Sequence, residues 1–437
     1  MEWWAVLLIG FGLLILLMLS GIPVAFAFAG LNIVGVMWVT GGTQGLVLLT
    51  GSIVDSVGNF RFIAAPMFFL MGAILYRSGA FGLIIEAVDQ WIDRIRVRLL
   101  YVTMISGTLL ATLSGAGIAD TALLGTTLYP EMEKRGYSPR LSLGTIFNSG
   151  LLAAIIPPSG LAVLTAMLAH VPVGRLLVAG FLPGLMMATT YAIFVFIRVR
   201  LNPALAPIYD QPPASMKIKL YSTAKLAPFS IVLFMVMGFI LLGITTPSEA
   251  AATGAIGALG VALIYRRFSF GVLTDALRDS MRIATMILMI ISGSIALSQT
   301  LALSGATRGF LDMLVNLPVS STVLLLAMLG AILILGLFLD QVSMMMVAIP
   351  VFSPAVGVLG FDPIWFWMLF LIAISIGAET PPFGLVLFAL KGVVPNVSIT
   401  EIYRAAIPFV ILDLISLGVL IAFPDIVLFL PNASLGP

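Results

Sequence analysis

Cysteine is absent from all 437 residues, so no disulfide, thiolate nucleophile or zinc–cysteine site can form. Histidine occurs once, at His170, which is poor equipment for acid–base or metal chemistry. Charge is scarce as well: Asp, Glu, Lys and Arg make up 9% of the chain, against roughly 25% in a soluble domain. No HExxH, GxSxG or Walker motif occurs, which argues against an intramembrane hydrolase and an ATP-driven pump. Net charge is only +2, so nothing points to nucleic acid.

What the chain has instead is apolar residues, 61% of the total. They lie in continuous runs such as Trp3–Leu19 and 230–242, unlike the short alternating segments of a β-barrel. The fold class expected is an all-α integral membrane protein embedded in a lipid bilayer. Spans are predicted at roughly 3–20, 22–40, 62–77, 140–170, 174–197, 226–243, 247–265, 283–303, 362–394 and 400–430. Only Glu2 precedes the first run, so it reads as a retained helix and not as a signal peptide.

Residues 98–135 and 319–358 fit a single crossing poorly. Each holds about forty mostly apolar residues with a Gly- and Asp-containing break near its middle. Arg94, Arg96 and Arg98 precede the first, and Lys134, Arg135 and Arg140 follow it. A re-entrant hairpin keeps both basic clusters on one face. With both segments as hairpins and both termini periplasmic, 18 of the 21 Lys and Arg residues lie on the cytoplasmic side. Arg61, Arg175 and Arg308 lie outside. The segment 81–95 has an apolar stripe of Phe81, Ile84, Val88, Trp91 and Ile95, and is expected to lie along the cytoplasmic surface. Residues 268–282 are its expected inverted counterpart.

Motifs recur in order. Gly-Ile-Pro23-Val-Ala and Thr-Pro247-Ser-Glu-Ala lie 224 residues apart, and Ser78-Gly79-Ala80 and Ser304-Gly305-Ala306 lie 226 apart. Asp120 precedes Pro130 as Asp340 precedes Pro350, at an offset of 220. Pro157-Pro158-Ser159-Gly160 and Pro381-Pro382-Phe383-Gly384 lie 224 apart. The chain therefore divides into a first repeat, 1–201, a cytoplasmic linker, 202–225, and a second repeat, 226–437. Each repeat has five spans plus one hairpin. Five is odd, so the second enters the membrane upside down, as in many secondary transporters.

The Pro-Pro pairs interrupt spans 140–170 and 362–394 halfway. Proline removes a backbone donor and clashes with the preceding turn. In lipid, unwound backbone persists only where protein or a cavity satisfies it. Carbonyls ending each first half-helix can meet a cation. Amides starting each second half-helix, at Ser159, Gly160 and Leu161 and at Phe383, Gly384 and Leu385, can meet an anion. Three carboxylates lie near these breaks, Asp120 and Asp340 at the hairpin tips and Glu379 before Pro381. No Lys or Arg lies at similar depth, and a bare carboxylate there costs about 2.5–3.5 kcal/mol. Sodium suits such oxygen-rich surroundings first, a proton second. A blander reading stands beside each. Asp120 and Asp340 can be helix caps, Glu379 can bond a neighbouring amide, most glycines can be helix-packing faces, the methionines can be filler, and His170 can be merely interfacial.

Leu113-Ser-Gly-Ala-Gly-Ile-Ala-Asp120-Thr-Ala, followed by Pro130-Glu-Met-Glu-Lys-Arg-Gly-Tyr137, resembles the hairpin motif of the large membrane subunit of TRAP (tripartite ATP-independent periplasmic) transporters, DctM type. Ile-Pro-Pro-Ser-Gly160, Thr-Pro-Ser-Glu-Ala250 and Glu-Thr-Pro-Pro-Phe-Gly384 extend the likeness from Gly21 to the last span. The resemblance implies a sodium-coupled importer of organic acid anions (dicarboxylates, sialic or sugar acids, keto acids) in the bacterial inner membrane, moving as an elevator. It implies two partners, a periplasmic substrate-binding protein and a separate four-helix membrane subunit. It implies no covalently bound cofactor, Na+ being the coupling ion. It also implies two sodium sites: one at Ser114, Gly115, Gly117, Asp120, Pro157, Pro158 and Ser159, the other at Gly336, Asp340, Glu379, Thr380 and Pro381. The second tip lacks the Ser-Gly-x-Gly pattern. A stand-alone sodium- or proton-coupled carrier of the same fold is the competing reading.

The cysteine-free background makes the topology directly testable. Single cysteines at Arg96 and Lys134 are expected to react with the same membrane-impermeant maleimide, from the cytoplasmic side. Labelling from opposite sides removes the first hairpin.

Overall fold

The computed structural model describes residues 2–92, 95–114, 117–207, 214–382 and 384–435, and helices are the regular structure formed among them. In chain order the first part contains α1 (Trp3–Leu19), α2 (Val24–Thr40), α3 (Gln44–Val57), α4 (Ala64–Arg77), α5 (Phe81–Trp91), α6 (Arg98–Ser114), α7 (Gly117–Thr127), α8 (Tyr129–Lys134), α9 (Pro139–Leu151), α10 (Gly160–Leu168), α11 (Val173–Ala179) and α12 (Phe181–Leu201). The second contains α13 (Met216–Ala224), α14 (Ala227–Leu233), α15 (Phe239–Leu241), α16 (Pro247–Ile264), α17 (Phe270–Leu303), α18 (Ala306–Asn316), α19 (Ser321–Gly336), α20 (Gln341–Val358), α21 (Pro363–Glu379), α22 (Leu385–Val393), α23 (Ile399–Ala422) and α24 (Asp425–Leu435).

Among the described residues, six stretches are long and apolar enough to cross a membrane: 173–201, 216–241, 247–264, 270–303, 341–358 and 399–422. Shorter apolar helices such as α1, α2, α6, α19 and α21 surround or join them. Outward-facing Leu8, Val34, Val47, Leu201 and Leu263 give the molecule the apolar exterior that a bilayer requires.

The two broken helices form the centre. In α21 every residue from Ile364 to Glu379 is buried, in α9 every residue from Leu141 to Leu151, and α10 is buried throughout. A helix that is apolar all round belongs in a core. The breaks fall where the proline pairs place them: α9 ends at Leu151, a short 3-10 turn follows at Leu152–Ala154, and α10 starts at Gly160. In the second part α21 ends at Glu379 and α22 starts at Leu385. Arms α6 and α7 pack on each other and on α9, while α19 and α20 pack on each other and on α21. The segments 98–135 and 319–358 are thus helix–turn–helix units leaning on the broken helices.

Helix boundaries recur with the motifs. The stretch from Gln44 to Arg77 corresponds to α17, Phe270–Leu303, at an offset of 226 at both ends. The first copy is interrupted after Val57 and the second is continuous. Ser78 and Ser304 each donate a hydrogen bond to the carbonyl three residues back, at 3.0 and 2.9 Å. Gly79 and Gly305 follow in the left-handed region, with φ of 64° and 74°. The Thr246-Pro-Ser-Glu motif is a capping box that starts α16: Thr246 and Glu249 satisfy each other's backbone amides. Across the molecule, α4 packs on α16 as α2 packs on α17.

Three expectations need correction. Helix α3 was not foreseen, because its 14 residues carry Gln44, Ser52, Asp55 and Ser56 among the apolar ones. Residues 268–282 are not the counterpart of the 81–95 segment: they begin α17 and match α3, whereas α18 matches α5, with 11 residues in each. Helix α5 does turn away from α4, by 69°. However, Phe81, Ile84 and Val88 of its stripe are buried against protein, because α6 and α13 cover that face. Within the linker 202–225, Met216–Ala224 is helical and leads into the next span.

Glycine sets the closest approach between hairpin and broken helix. A Cβ on Gly336 would lie 2.5 Å from the Cα of Gly377, whereas one on Gly330, in the same helix, would meet nothing within 4 Å. Gly336→Val is therefore expected to cost about 1–3 kcal/mol through overpacking, seen as a lower unfolding temperature in detergent. Gly330→Val should leave that temperature unchanged, and equal effects would discredit the close packing.

Candidate functional site

At the first tip, α6 ends at Ser114 and α7 begins at Gly117, a turn that small residues permit. A Cβ on Gly117 would lie 2.3 Å from the carbonyl oxygen of Gly150, and one on Gly72 would lie 2.4 Å from that of Ser114. The tip is thus wedged between α9 and α4, backbone against backbone. Asp120 is fully buried in the first turn of α7, and Ser114 Oγ donates to its Oδ2 at 2.5 Å. Its Oδ1 has no protein partner among the described residues. The cap reading fails here, because the helix starts three residues before Asp120.

The second tip differs. Asp340 is the N-cap of α20: Oδ1 accepts from the amides of Val342 and Ser343 at 3.0 and 3.1 Å, and the Ser343 hydroxyl donates to Oδ2. Gln341 Nε2 donates to Ser375 Oγ at 3.2 Å, tying tip to broken helix. The cap reading holds for Asp340.

At the first break Pro157 and Pro158 are buried, and Ser159 is fully buried beyond them. Ser159 Oγ donates to the Ala154 carbonyl at 2.8 Å and accepts from the Ala162 amide at 3.2 Å, bridging the gap and capping α10. The next amides, of Gly160 and Leu161, donate to no protein group among the described residues. Gly160 faces the ring of Phe69, which a Cβ would approach to 3.2 Å. Both Pro-Pro peptide bonds are cis.

At the second break Thr380 caps α21 and turns its hydroxyl back to the Ile376 carbonyl at 2.6 Å. The carbonyl of Pro382 accepts from the Tyr403 hydroxyl at 2.5 Å. Gly384 is the N-cap of α22, and a Cβ there would come within 2.9 Å of the Ala378 carbonyl. Gly115 and Phe383 lie outside the described residues, as does Arg94 of the basic cluster.

The first tip and first break therefore converge, and so do Gly336, Gly377 and the start of α20. Glu379 departs from the expected set. It is buried, neither carboxylate oxygen has a protein partner among the described residues, and the charge it meets is that of Asp413, not Asp340. Asp413, on α23, accepts a hydrogen bond from the Tyr191 hydroxyl. Sequence reasoning missed Asp413, although an acid in the middle of an apolar span is itself a signal. His170 is exposed in the turn after α10 and takes no part in either tip.

Two apolar helices broken at depth and propped by paired helical hairpins, inside a shell of membrane-length helices, define a polytopic membrane transporter. The solved YdaH transporter of Alcanivorax borkumensis has the same fold, with a TM-score of 0.69 at 15% identity over 92% of this chain and 99% of that one. MtrF of Neisseria gonorrhoeae, described among antimetabolite efflux pumps, follows at 0.60 and 13% identity, covering 86% and 84%. Sequence comparison is more specific. A profile for "Tripartite ATP-independent periplasmic transporter, DctM component" matches residues 11–426. The chain belongs to that family and is a transporter permease, one component of a tripartite system. Curated relatives include the C4-dicarboxylate large permease DctM of Pseudomonas aeruginosa, 29% identical over 86% of this chain and 87% of its own length. The ectoine large permease TeaC of Halomonas elongata is 28% identical, covering 96% and 97%. The 2,3-diketo-L-gulonate large permease YiaN of Escherichia coli is 27% identical, covering 93% and 95%.

The unequal tips give a stability test. Asp340→Ala removes the acceptor for two orphan amides and is expected to cost about 1–2 kcal/mol, lowering the unfolding temperature measured without sodium. Asp340→Asn, which keeps an acceptor, should recover most of it. Equal losses for both variants would show that the charge matters and the cap does not.

Proposed function

We propose that this permease imports a small organic acid anion, of the dicarboxylate, sugar-acid or keto-acid class, coupled to inward sodium flow. It receives the substrate from a periplasmic binding protein and works beside a separate four-helix membrane subunit in the bacterial inner membrane, with both termini periplasmic. The observation that carries this reading is the first tip. There a buried carboxylate, with one oxygen unpartnered among the described residues, bonds a serine hydroxyl beside a broken helix.

A sodium ion at Ser114, Gly117 and Asp120, beside the break at Pro157, Pro158 and Ser159, offsets the buried charge with hard oxygen ligands. A second, at Gly336, Asp340, Thr380 and Pro381, is the paired site. Glu379, expected beside it, has Asp413 as its acidic neighbour. The anion lies between the tips. The free amides of Gly160 and Leu161, the start of α10 and the start of α22 at Gly384 supply partial positive charge. Bound sodium then explains how an anion is held without a buried arginine. The 223- to 226-residue recurrence of helix starts, from α2 with α16 to α10 with α22, supports an inverted pair of repeats, 1–201 and 226–437, joined by 202–225. Hairpins and broken helices move together as an elevator against the remaining spans.

Uptake into proteoliposomes containing this chain, the small membrane subunit and the binding protein tests the reading. Asp120→Ala is expected to raise the sodium concentration for half-maximal uptake about tenfold or more while assembly with the small subunit persists, the loss of one charged ligand being worth over 1 kcal/mol. Uptake that ignores sodium rejects the coupling. Uptake without a binding protein favours a stand-alone carrier.

A further inference from the structure

Four helices meet around α23: it packs on α9, α12 and α21, and α9 packs on α12 and α21 as well. Together they bury four side chains that bear an amide, a phenol or a carboxyl group. Asn148 comes from α9 and Tyr191 from α12, Glu379 is the last residue of α21, and Asp413 is midway along α23. All four are at least 98% buried. The Tyr191 hydroxyl donates to Asp413 Oδ1. Asn148 lies beside Tyr191, and both line a cavity of about 210 Å³ with Tyr101, Thr145 and Ser149. Glu379 is in electrostatic range of both Asp413 and Tyr191.

Acceptors outnumber donors in this cluster. Among the described residues, Glu379 Oε1 and Oε2, Asp413 Oδ2 and Asn148 Oδ1 have no partner, and neither does Asn148 Nδ2. Swapping the amide oxygen and nitrogen of Asn148 leaves the count unchanged. Among the described residues, no cationic side chain acts on Tyr191, Glu379 or Asp413. Unpaired buried polar atoms are costly, and charged ones far more so. The backbone adds to the imbalance in the same sense. Glu379 ends α21, and Asn148 is three residues from the end of α9, so the negative ends of two helix dipoles point at this region.

We propose that Asn148, Glu379 and Asp413, with Tyr191 orienting Asp413, form a further site for a monovalent alkali cation, separate from the two hairpin tips. Four oxygen donors of carboxylate and amide type suit a hard ion. They are too few for calcium, which takes six to eight oxygens, and magnesium demands a near-ideal octahedron. Binding here fastens the end of α21 to α23 and to α9. The ion so placed sets the position of Thr380 and Pro381, and thus prepares the second tip's partner without touching it.

The test is equilibrium binding of radiolabelled sodium to the full-length chain in lipid nanodiscs, counted per chain, with potassium and choline as competitors. Asp413→Asn and Glu379→Gln, which nearly preserve volume, are each expected to lower the count by about one ion, or to weaken that ion's Kd by about tenfold or more. Asp120→Ala is measured alongside. Its effect reports on the first tip alone, so a failure of the sodium-coupled reading shows as no change in that variant whatever Asp413→Asn does. Asn148→Ala alters no charge; should both carboxylate variants fail to fold, a weakened sodium Kd in this variant supports the site and an unchanged one overturns it. A sodium count and a Kd both unchanged in folded Asp413→Asn overturn the proposal. So does a count that stays the same while sodium-independent proton uptake by the chain falls, which would make the pair a proton carrier.

Discussion

A transmembrane helix can be interrupted only if something other than lipid satisfies the backbone it releases, and everything else in this structure follows from meeting that demand twice. Two proline pairs open α9–α10 and α21–α22 in the middle of the molecule. Each unpaired peptide group at that depth would cost several kcal/mol in hydrocarbon. The chain answers by burying α10, α21 and most of α9 and bringing polar partners to the gaps. Ser159 bridges one gap through its hydroxyl, Thr380 and Tyr403 serve the other, and hairpins close over both. The close approach of those hairpins explains why glycine occupies 117, 150, 336 and 377, where any side chain would meet backbone or a neighbouring hydroxyl within 3 Å.

Much of this was legible because the signals were large and local. Runs of apolar residues gave the spans, Pro-Pro gave the breaks, and Ser-Gly-Ala and Thr-Pro-Ser-Glu gave helix ends that the structure realises as a left-handed glycine and a capping box. The motif order also led to the family that the profile identifies. What escaped was either diluted or dependent on distance. Helix α3 hid because its polar residues lower its hydropathy below that of a span, although its counterpart is simply the first half of α17. The stripe of α5 looked like a lipid-facing surface because nothing in the sequence says that α6 and α13 cover it.

The candidate site shows the same division. Asp120 and Asp340 were found as a pair because both follow small or apolar turns at the hairpin tips. Their chemistry differs because α7 begins three residues before Asp120, whereas α20 begins one residue after Asp340. A shift of four residues moves the first carboxylate off its helix end and into the first turn, where it bonds Ser114 and keeps one oxygen without a partner among the described residues. Helix boundaries are the least readable feature of a sequence, so here the difference between a capping and a non-capping carboxylate was not legible.

Glu379 and Asp413 carry that point across the whole chain. Separated by 34 residues, they occupy different helices, and only packing brings the carboxylates together. The first repeat has Ile155 where the second has Glu379, so the acidic cluster belongs to one half alone. A structure built on near-repetition is thus chemically lopsided: one tip has a carboxylate with a free oxygen, the other a capped carboxylate with a second acidic pair behind its broken helix. Two equal tips would bind the same ions with equal strength. Unequal ones separate the affinities, and separated affinities are what allow ions to load in an order, with one event preparing the ground for the next.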